Sequence, residues 1–161
     1  MRALEPPENV ASTNSTNMMN VKLLLSASAI AALFMLTAFA QQPRTTWSGI
    51  YTNEQAARGE KLYVEQCAQC HGDGLGGVES APALTGDMFN SNWEGVPLGD
   101  LLDRIRISMP QNKPGSLSRA QTADIVAHML KVGGFPSGDT ALDGQAGALS
   151  QTKFVTYKPQ P

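Results

Sequence analysis

The segment Cys67-Ala68-Gln69-Cys70-His71 decides how this chain folds. Its two cysteines stand three positions apart, a spacing that puts both thiols on the same face of one helical turn. The histidine that follows adds an imidazole to that turn. These are the only cysteines in the sequence, so neither thiol has a more distant partner. The pattern C-x-x-C-H is the attachment sequence of a covalently bound haem.

The spacing has a mechanical explanation in haem chemistry. Two thiols on one turn reach the two vinyl groups on adjacent edges of a porphyrin, and the next residue brings its imidazole beneath the ring. We therefore predict a single haem c that is attached through Cys67 and Cys70, with His71 as a ligand of its iron.

Three other interpretations of the motif compete with haem attachment. A structural zinc site needs four ligands, and His128 is the only further histidine in the chain. A thioredoxin-like redox pair is expected after a strand, whereas the segment before Cys67 has a helical pattern. A disulfide between Cys67 and Cys70 leaves His71 without a role.

A helix is predicted before the motif, from Thr52 to Tyr63. It opens with a capping box, because Gln55 follows Thr52 by three positions. Gly59 lies inside this helix, on the same face as Tyr63, and a glycine there costs about 1 kcal/mol relative to alanine. We therefore expect another backbone to approach closely at Gly59.

The sequence after the motif alternates loops and helices. Residues Gly72 to Pro97 are rich in glycine and proline and are predicted to form a long loop. An apolar stripe predicts a helix from Leu98 to Ser108, and the proline that follows Met109 biases it towards extended geometry. A second capping box at Ser118 starts a last helix, which ends at Gly133. No alternating apolar run argues for a sheet, so the predicted fold class is all-α.

The region from about Thr52 to Phe135 resembles a class I cytochrome c domain. The order of its motifs carries the resemblance: Gly59 and Tyr63, Cys67-Ala68-Gln69-Cys70-His71, Ala81-Pro82-Ala83-Leu84, Met109-Pro110 and a final amphipathic helix. The resemblance implies a small all-α cytochrome c fold, with roughly three to four short helices wrapped around one covalently bound haem. It also implies that the first and last helices cross at Gly59 and that the Pro82 carbonyl receives the second N–H of His71.

By the same resemblance, Met109 is the second axial ligand of the iron. Met88 and His128 are alternatives, as is an iron that has no second protein ligand. Met129 falls in the apolar stripe of the last helix, where a methionine usually serves only in packing. A finer similarity, over Ser108 to Ser118, is to the cytochrome domains that accompany quinoprotein dehydrogenases.

Residues 1–40 have the layout of an export signal. An uncharged apolar block extends from Leu23 to Ala40 and ends in Ala38-Phe39-Ala40, a small-x-small site that predicts cleavage after Ala40. Residues 1–17 fit no such signal, and we expect them not to be translated or to be removed. A retained membrane anchor is the alternative, because about 18 apolar residues is the lower end of what spans a bilayer. We therefore predict a periplasmic protein, bound to the membrane only if this block is kept.

The remainder of the chain divides into three parts. Residues 41–51 are predicted to form an N-terminal extension, residues 52–135 the haem domain, and residues 136–161 a polar C-terminal tail. Aromatic residues make up only 6% of the chain, so we expect a bound cofactor to fill part of the core.

Charge and ligation together indicate the class of function. The formal net charge is −2 and no basic block is present, which argues against nucleic acid as a partner. An iron with two protein ligands has no open position, so the sequence predicts a one-electron carrier and not an enzyme. The expected partners are redox proteins, with a periplasmic dehydrogenase as donor and a cytochrome or oxidase as acceptor. The alternatives are a haem enzyme or gas sensor with a displaceable second ligand, and an electron-transfer subunit of a dehydrogenase complex.

Overall fold

A computed structural model describes residues 43–79, 81–144 and 149–160 of the chain. The helices of this part are α1 Asn53–Gln66, α2 Ala68–His71, α3 Asp87–Trp93, α4 Leu98–Ser108 and α5 Arg119–Val132, and its strands are β1 Arg44–Thr45 and β2 Thr152–Lys153. The mostly helical architecture that the sequence predicts is confirmed. Within the three described ranges, no helix is both long and apolar enough to cross a lipid bilayer. The predicted export signal and its cleavage after Ala40 lie outside the described residues.

The predicted capping residues start the two long helices. The Thr52 hydroxyl accepts the backbone N–H of Gln55 at 3.2 Å, so α1 begins at the expected position. The Gln55 side chain bonds Leu142 instead of the Thr52 N–H, so only one half of the predicted capping box forms. In α5 the Ser118 hydroxyl accepts the Gln121 N–H at 3.2 Å, and the Gln121 side chain accepts the Ser118 N–H at 2.9 Å. Each cap contributes about 1 kcal/mol to helix stability. Helix α1 continues past its predicted end to Gln66, so it leads directly into the C-x-x-C-H segment.

Helices α1 and α5 cross with their backbones in contact at Gly59. A Cβ atom at Gly59 would lie 1.7 Å from the Asp124 carbonyl oxygen and 3.1 Å from the Cβ atom of His128, so no larger residue fits. Beside the crossing, the Arg58 guanidinium donates to both carboxylate oxygens of Asp124 at 2.9 Å. Solvent screens this ion pair because the Arg58 side chain is largely exposed. The close approach expected at Gly59 is therefore confirmed, and it is the backbone contact that fixes the crossing.

The loop predicted from Gly72 to Pro97 contains a helix, α3. Phe89 and Trp93 lie one turn apart on α3, and their ring centroids are 6.2 Å apart. The buried Phe89 ring also packs edge-on against Phe154, with a centroid distance of 5.9 Å. The prediction of an uninterrupted loop is wrong because a helix of seven residues carries too few apolar positions to show a period.

The residues that follow α5 return to the start of the domain. Strand β2 pairs in parallel with β1. Next to this pair, the Val155 carbonyl accepts the Thr46 hydroxyl at 2.7 Å and the Trp47 indole N–H at 2.9 Å. The segment predicted as an N-terminal extension, residues 41–51, is thus joined to the C-terminal segment through its described part.

Apolar side chains of the C-terminal segment enter the core. Leu142, Leu149 and Phe154 are each at most 5% exposed. The Gln55 side chain bonds both backbone groups of Leu142, donating to its carbonyl at 3.0 Å and accepting its N–H at 2.6 Å. Residues 136–161 therefore differ from the polar tail that the sequence predicts. The buried residues are few and widely spaced in the sequence, so no apolar period marks them.

Gly59→Ala tests the contact between α1 and α5. The added methyl group meets backbone atoms, which have no rotamer to change, so the two helices must separate. We expect the free energy of unfolding, measured by urea denaturation, to fall by about 3 kcal/mol.

Gly99→Ala is the matched control for this experiment. Gly99 also lies in a helix, α4, but a Cβ atom there comes no closer than 3.5 Å to any atom outside its own turn. This variant should keep the stability of the parent or exceed it by up to about 1 kcal/mol, because alanine favours a helix over glycine. Equal losses in the two variants would contradict a specific backbone contact at Gly59.

Candidate haem site

The C-x-x-C-H segment forms a single helical turn, α2, directly after α1. The Cys67 N–H bonds the Tyr63 carbonyl at 2.8 Å, which completes α1. The Cys67 carbonyl in turn accepts the N–H groups of Cys70 and His71 at 3.0 and 2.9 Å. Cys67 is partly buried, Cys70 is exposed and His71 is only 8% exposed. One turn therefore carries both thiols and the imidazole, as the spacing predicts.

A hydrogen bond to the Pro82 carbonyl orients the imidazole of His71. The Nδ1 atom of His71 lies 2.8 Å from the Pro82 oxygen. Because a carbonyl oxygen only accepts, Nδ1 carries a proton, and in the neutral ring the lone pair is then on Nε2. This is the tautomer that binds a metal through Nε2, and the bond to Pro82 raises the basicity of the ligand. The hydrogen bond that the family resemblance implies is confirmed.

The loop between α2 and α3 folds back on itself to present the Pro82 carbonyl. Gly77 donates its N–H to the His71 carbonyl at 2.9 Å and has a φ angle of +77°. A Cβ atom at Gly77 would lie 2.5 Å from the Ala83 nitrogen. Gly77 is therefore needed for its left-handed conformation and for the close approach of the residues next to Pro82.

Tyr63 holds the other end of the C-x-x-C-H segment. Its hydroxyl donates to the Gly72 carbonyl at 2.6 Å, one residue beyond His71. The Tyr63 side chain is fully buried, and burial raises the pKa of Tyr63 to about 12, with smaller contributions from Cys67 and Asp73. The hydroxyl therefore keeps its proton at neutral pH. Helical spacing predicts the face on which Tyr63 lies, but no signal in the sequence marks the carbonyl that its hydroxyl reaches.

The competing interpretations of the cysteines do not fit this geometry. Both thiols are free, so they form no disulfide with each other. Burial, and to a smaller extent Cys70, raises the pKa of Cys67 to about 11, whereas a thioredoxin-like cysteine needs a lowered pKa. In the part of the chain that the structure describes, no group of three or more His, Cys, Asp or Glu side chains is placed to hold a metal ion. The described residues therefore form no structural zinc site.

Met109 occupies the position at which α4 ends. Its N–H bonds the Ile105 carbonyl at 2.8 Å, while its own φ and ψ angles, −123° and 152°, are extended. Its side chain is partly buried, and the peptide bond to Pro110 is cis. The chain thus leaves the helix at Met109, as the following proline predicts. The role of Met109 as an iron ligand stays a prediction.

The other candidate ligands have different surroundings. Met88 is 76% exposed near the start of α3, so its side chain lies in solvent. Met129 is buried in the core, in the packing role expected for it. His128 is also buried, with its ring 5.4 Å from that of Tyr63 between centroids. Its Nδ1 atom is buried and has no hydrogen-bond partner among the described residues.

This chain is similar to known proteins. Residues 54–129 match the family model described as cytochrome C oxidase, cbb3-type, subunit III. The thiosulfate dehydrogenase of Stutzerimonas stutzeri (strain A1501) is 39% identical over 79 residues, which are 45% of this chain and 26% of that protein. The crystal structure of the sulfane dehydrogenase SoxCD from Paracoccus pantotrophus aligns with a TM-score of 0.48 and 24% identity, over 66% of this chain and 61% of that one.

The site and the family match together define a c-type cytochrome. Residues 54–129 are a domain of the cytochrome c family, and the cofactor of that domain is covalently bound haem c. The residues present fit this group: two free thiols on one turn, and an imidazole whose Nδ1 bonds the Pro82 carbonyl, are the donors that haem c requires. The chain spans only 26% of the length of the thiosulfate dehydrogenase that it matches.

The pH dependence of stability tests the buried state of His128. Burial lowers the pKa of His128 below its ordinary value of 6.5, although Glu60 acts in the opposite direction. The unfolded chain therefore binds this proton more readily than the folded protein does. The contribution of neutral His128 to stability is complete above pH 6.5 and is lost as the pH falls through the lower folded value. We expect urea denaturation at a series of pH values between about 8 and 5 to show this decline.

His128→Phe is the variant for comparison. It keeps an aromatic ring against Tyr63 and removes the group that titrates. The decline in the free energy of unfolding below pH 6.5 should therefore be smaller in the variant. Parallel pH profiles for the parent and the variant would contradict a buried, neutral His128.

Proposed function

We propose that this chain is an exported monohaem cytochrome that carries single electrons, with His71 and Met109 as the axial ligands of its iron. The observation that carries the proposal is the 2.8 Å hydrogen bond between His71 Nδ1 and the Pro82 carbonyl. It fixes the tautomer in which Nε2 is available for a permanent bond to iron. A permanently ligated iron suits electron transfer, because chemistry at the metal needs an open position.

The chain's own residues supply ligation and orientation. Haem c, when bound, supplies an iron that changes by one electron between its ferric and ferrous states. Met109 is suited to close the second side, because it leaves α4 in extended geometry with its side chain partly buried. A thioether is a soft ligand that favours ferrous iron, so ligation by Met109 raises the reduction potential.

The different exposure of the two cysteines supports electron exchange at the surface. Cys67 is partly buried, whereas Cys70 is exposed. The attachment point at Cys70 therefore lies within reach of another protein. An electron that passes there requires no substrate to enter the domain, which is what a carrier needs.

We propose redox proteins as the partners. The match to a thiosulfate dehydrogenase supports a periplasmic dehydrogenase as the donor. The matching family model is described by an oxidase subunit, which supports an oxidase or another cytochrome as the acceptor.

A haem enzyme with a displaceable second ligand is the second candidate. The observation that favours it is the name of the relative, a dehydrogenase, which is 39% identical to this chain over 79 residues. The two functions differ at one point, the occupation of the second axial position.

Met109→Ala tests that position. With Met109 bound, the oxidised parent is low-spin and shows the weak far-red sulfur-to-iron band, and the reduced parent binds carbon monoxide poorly. The variant should lose this band, have a lower reduction potential and bind carbon monoxide readily. Optical spectra and a redox titration measure all three effects.

Met88→Ala and Met129→Ala are the controls. Met88 is exposed, so its variant should keep the parent's spectrum and stability. Met129 is buried, so its variant should lose about 2–5 kcal/mol of stability and keep the far-red band. A high-spin parent that binds carbon monoxide would contradict the carrier and favour the enzyme or sensor. An unchanged spectrum in Met109→Ala would exclude Met109 as the ligand and direct attention to His128.

Export is tested at the N-terminus of the protein as it is produced. We propose cleavage after Ala40, so the mature chain should begin at Gln41. The intact mass of protein from the periplasmic fraction should equal that of residues 41–161 plus one haem. A protein that keeps residues 23–40 and is recovered with membranes would instead support the anchor.

A further inference from the structure

Tyr63 contacts the C-x-x-C-H segment at both of its ends. Its carbonyl accepts the N–H of Cys67 at 2.8 Å, and its hydroxyl donates to the carbonyl of Gly72 at 2.6 Å. The first bond belongs to helix α1, and any residue would make it. The second needs a hydroxyl at this place, because a phenylalanine ring fills the same space but leaves the partly buried Gly72 carbonyl with the Leu75 N–H, at 3.2 Å, as its remaining donor.

The carbonyl that Tyr63 reaches lies next to the predicted iron ligand. Gly72 follows His71 directly, and its φ angle of +77° turns the chain out of α2. Its N–H bonds the Ala68 carbonyl at 2.8 Å. The Gly72 N–H belongs to the His71–Gly72 peptide unit, and the Gly72 carbonyl belongs to the next one. Bonds to both groups therefore fix the two dihedral angles of Gly72, and with them the direction in which the chain leaves His71.

The imidazole is therefore held from two sides. On the backbone side, the Tyr63 hydroxyl bonds the Gly72 carbonyl. On the ring side, His71 Nδ1 bonds the Pro82 carbonyl. With the backbone and the ring nitrogen both held, the Nδ1–H stays aligned with the Pro82 oxygen. The strength of that bond sets how basic the imidazole is towards iron.

We propose that the Tyr63 hydroxyl is a positioning group for His71: through Gly72 it holds the imidazole in the orientation in which Nδ1 bonds Pro82, and it thereby lowers the reduction potential. The inference rests on the proposed role of His71 as an iron ligand. The sign follows from ligand basicity, because a more basic imidazole donates more charge and stabilises ferric iron.

Tyr63→Phe removes the hydroxyl and keeps the ring. We expect hydrogen exchange of the His71 Nδ1–H in the reduced protein, followed by NMR, to become about tenfold faster. A factor of ten corresponds to about 1.4 kcal/mol, the size of one net hydrogen bond. We also expect a redox titration to give a higher potential than that of the parent.

Tyr51→Phe is a closely matched control. Tyr51 is 1% exposed, and its hydroxyl also donates to a backbone carbonyl at 2.6 Å, that of Phe135. Its loss should cost similar stability and leave the exchange rate and the potential at the parent's values. If Tyr63→Phe behaves like Tyr51→Phe, losing stability alone, the positioning role is overturned.

The same NMR spectra separate this inference from the proposed function. Iron-bound imidazole protons in a reduced haem protein are shifted strongly upfield by the ring current. A parent whose His71 ring protons lack that shift overturns the proposed ligation. A parent that has the shift, with unchanged exchange and potential in Tyr63→Phe, overturns only the role of Tyr63.

A second experiment covers the case in which Tyr63→Phe does not assemble with haem. The sequence has three tyrosines, and a double variant with Tyr51→Phe and Tyr157→Phe keeps only Tyr63. Incorporation of 3-fluorotyrosine then makes the Tyr63 hydroxyl more acidic and a stronger donor to Gly72. The reduction potential should fall, and an unchanged potential would overturn the proposal.

Discussion

No side chain fits between Gly59 and the Asp124 carbonyl. This contact therefore fixes both the position at which α1 crosses α5 and the distance between the two helices. One turn further along α1, the Tyr63 ring reaches His128 on α5, and its carbonyl then receives the N–H of Cys67. The segment that carries the thiols and the imidazole thus begins at a point already set by the crossing. A shift of α1 along α5 would move all of these groups together, so the haem site depends on a contact in which neither side chain takes part.

Three hydrogen bonds act on the segment around His71. Groups from α1 and from the following loop bond the backbone or the ring around His71, namely the Tyr63 hydroxyl, the Gly77 N–H and the Pro82 carbonyl. None of them is an acid or base at neutral pH, and none offers a reactive group. This is the division of work expected in a cofactor protein, where the cofactor brings the chemistry and the polypeptide brings position and electrostatics.

The sequence predicts those features that short-range rules control. The caps at Thr52 and Ser118 and the exit from the helix at Met109 depend on residues within a few positions of one another, and each is present. The close approach at Gly59 is also present, but the sequence predicts only that some backbone comes near this glycine and not that it is that of Asp124. The packed C-terminal segment and the Tyr63–Gly72 bond depend on where distant or differently folded backbone comes to lie. A buried residue such as Leu142, held by the side chain of Gln55 from 87 positions away, leaves no local pattern to recognise. The sequence does not predict helix α3 for a different reason, because seven residues are too few to display an apolar period.

The parallel pairing of β1 with β2 has a consequence for the order in which the molecule closes. Arg44 and Thr45 are made before the C-x-x-C-H segment, and their partners Thr152 and Lys153 come more than a hundred residues after them. Every haem-attaching residue has therefore been synthesised before β1 can pair with β2. The Trp47 indole likewise has no acceptor until Val155 has been synthesised. The pairing of β1 with β2 therefore closes the domain only after the complete haem-binding segment has been synthesised.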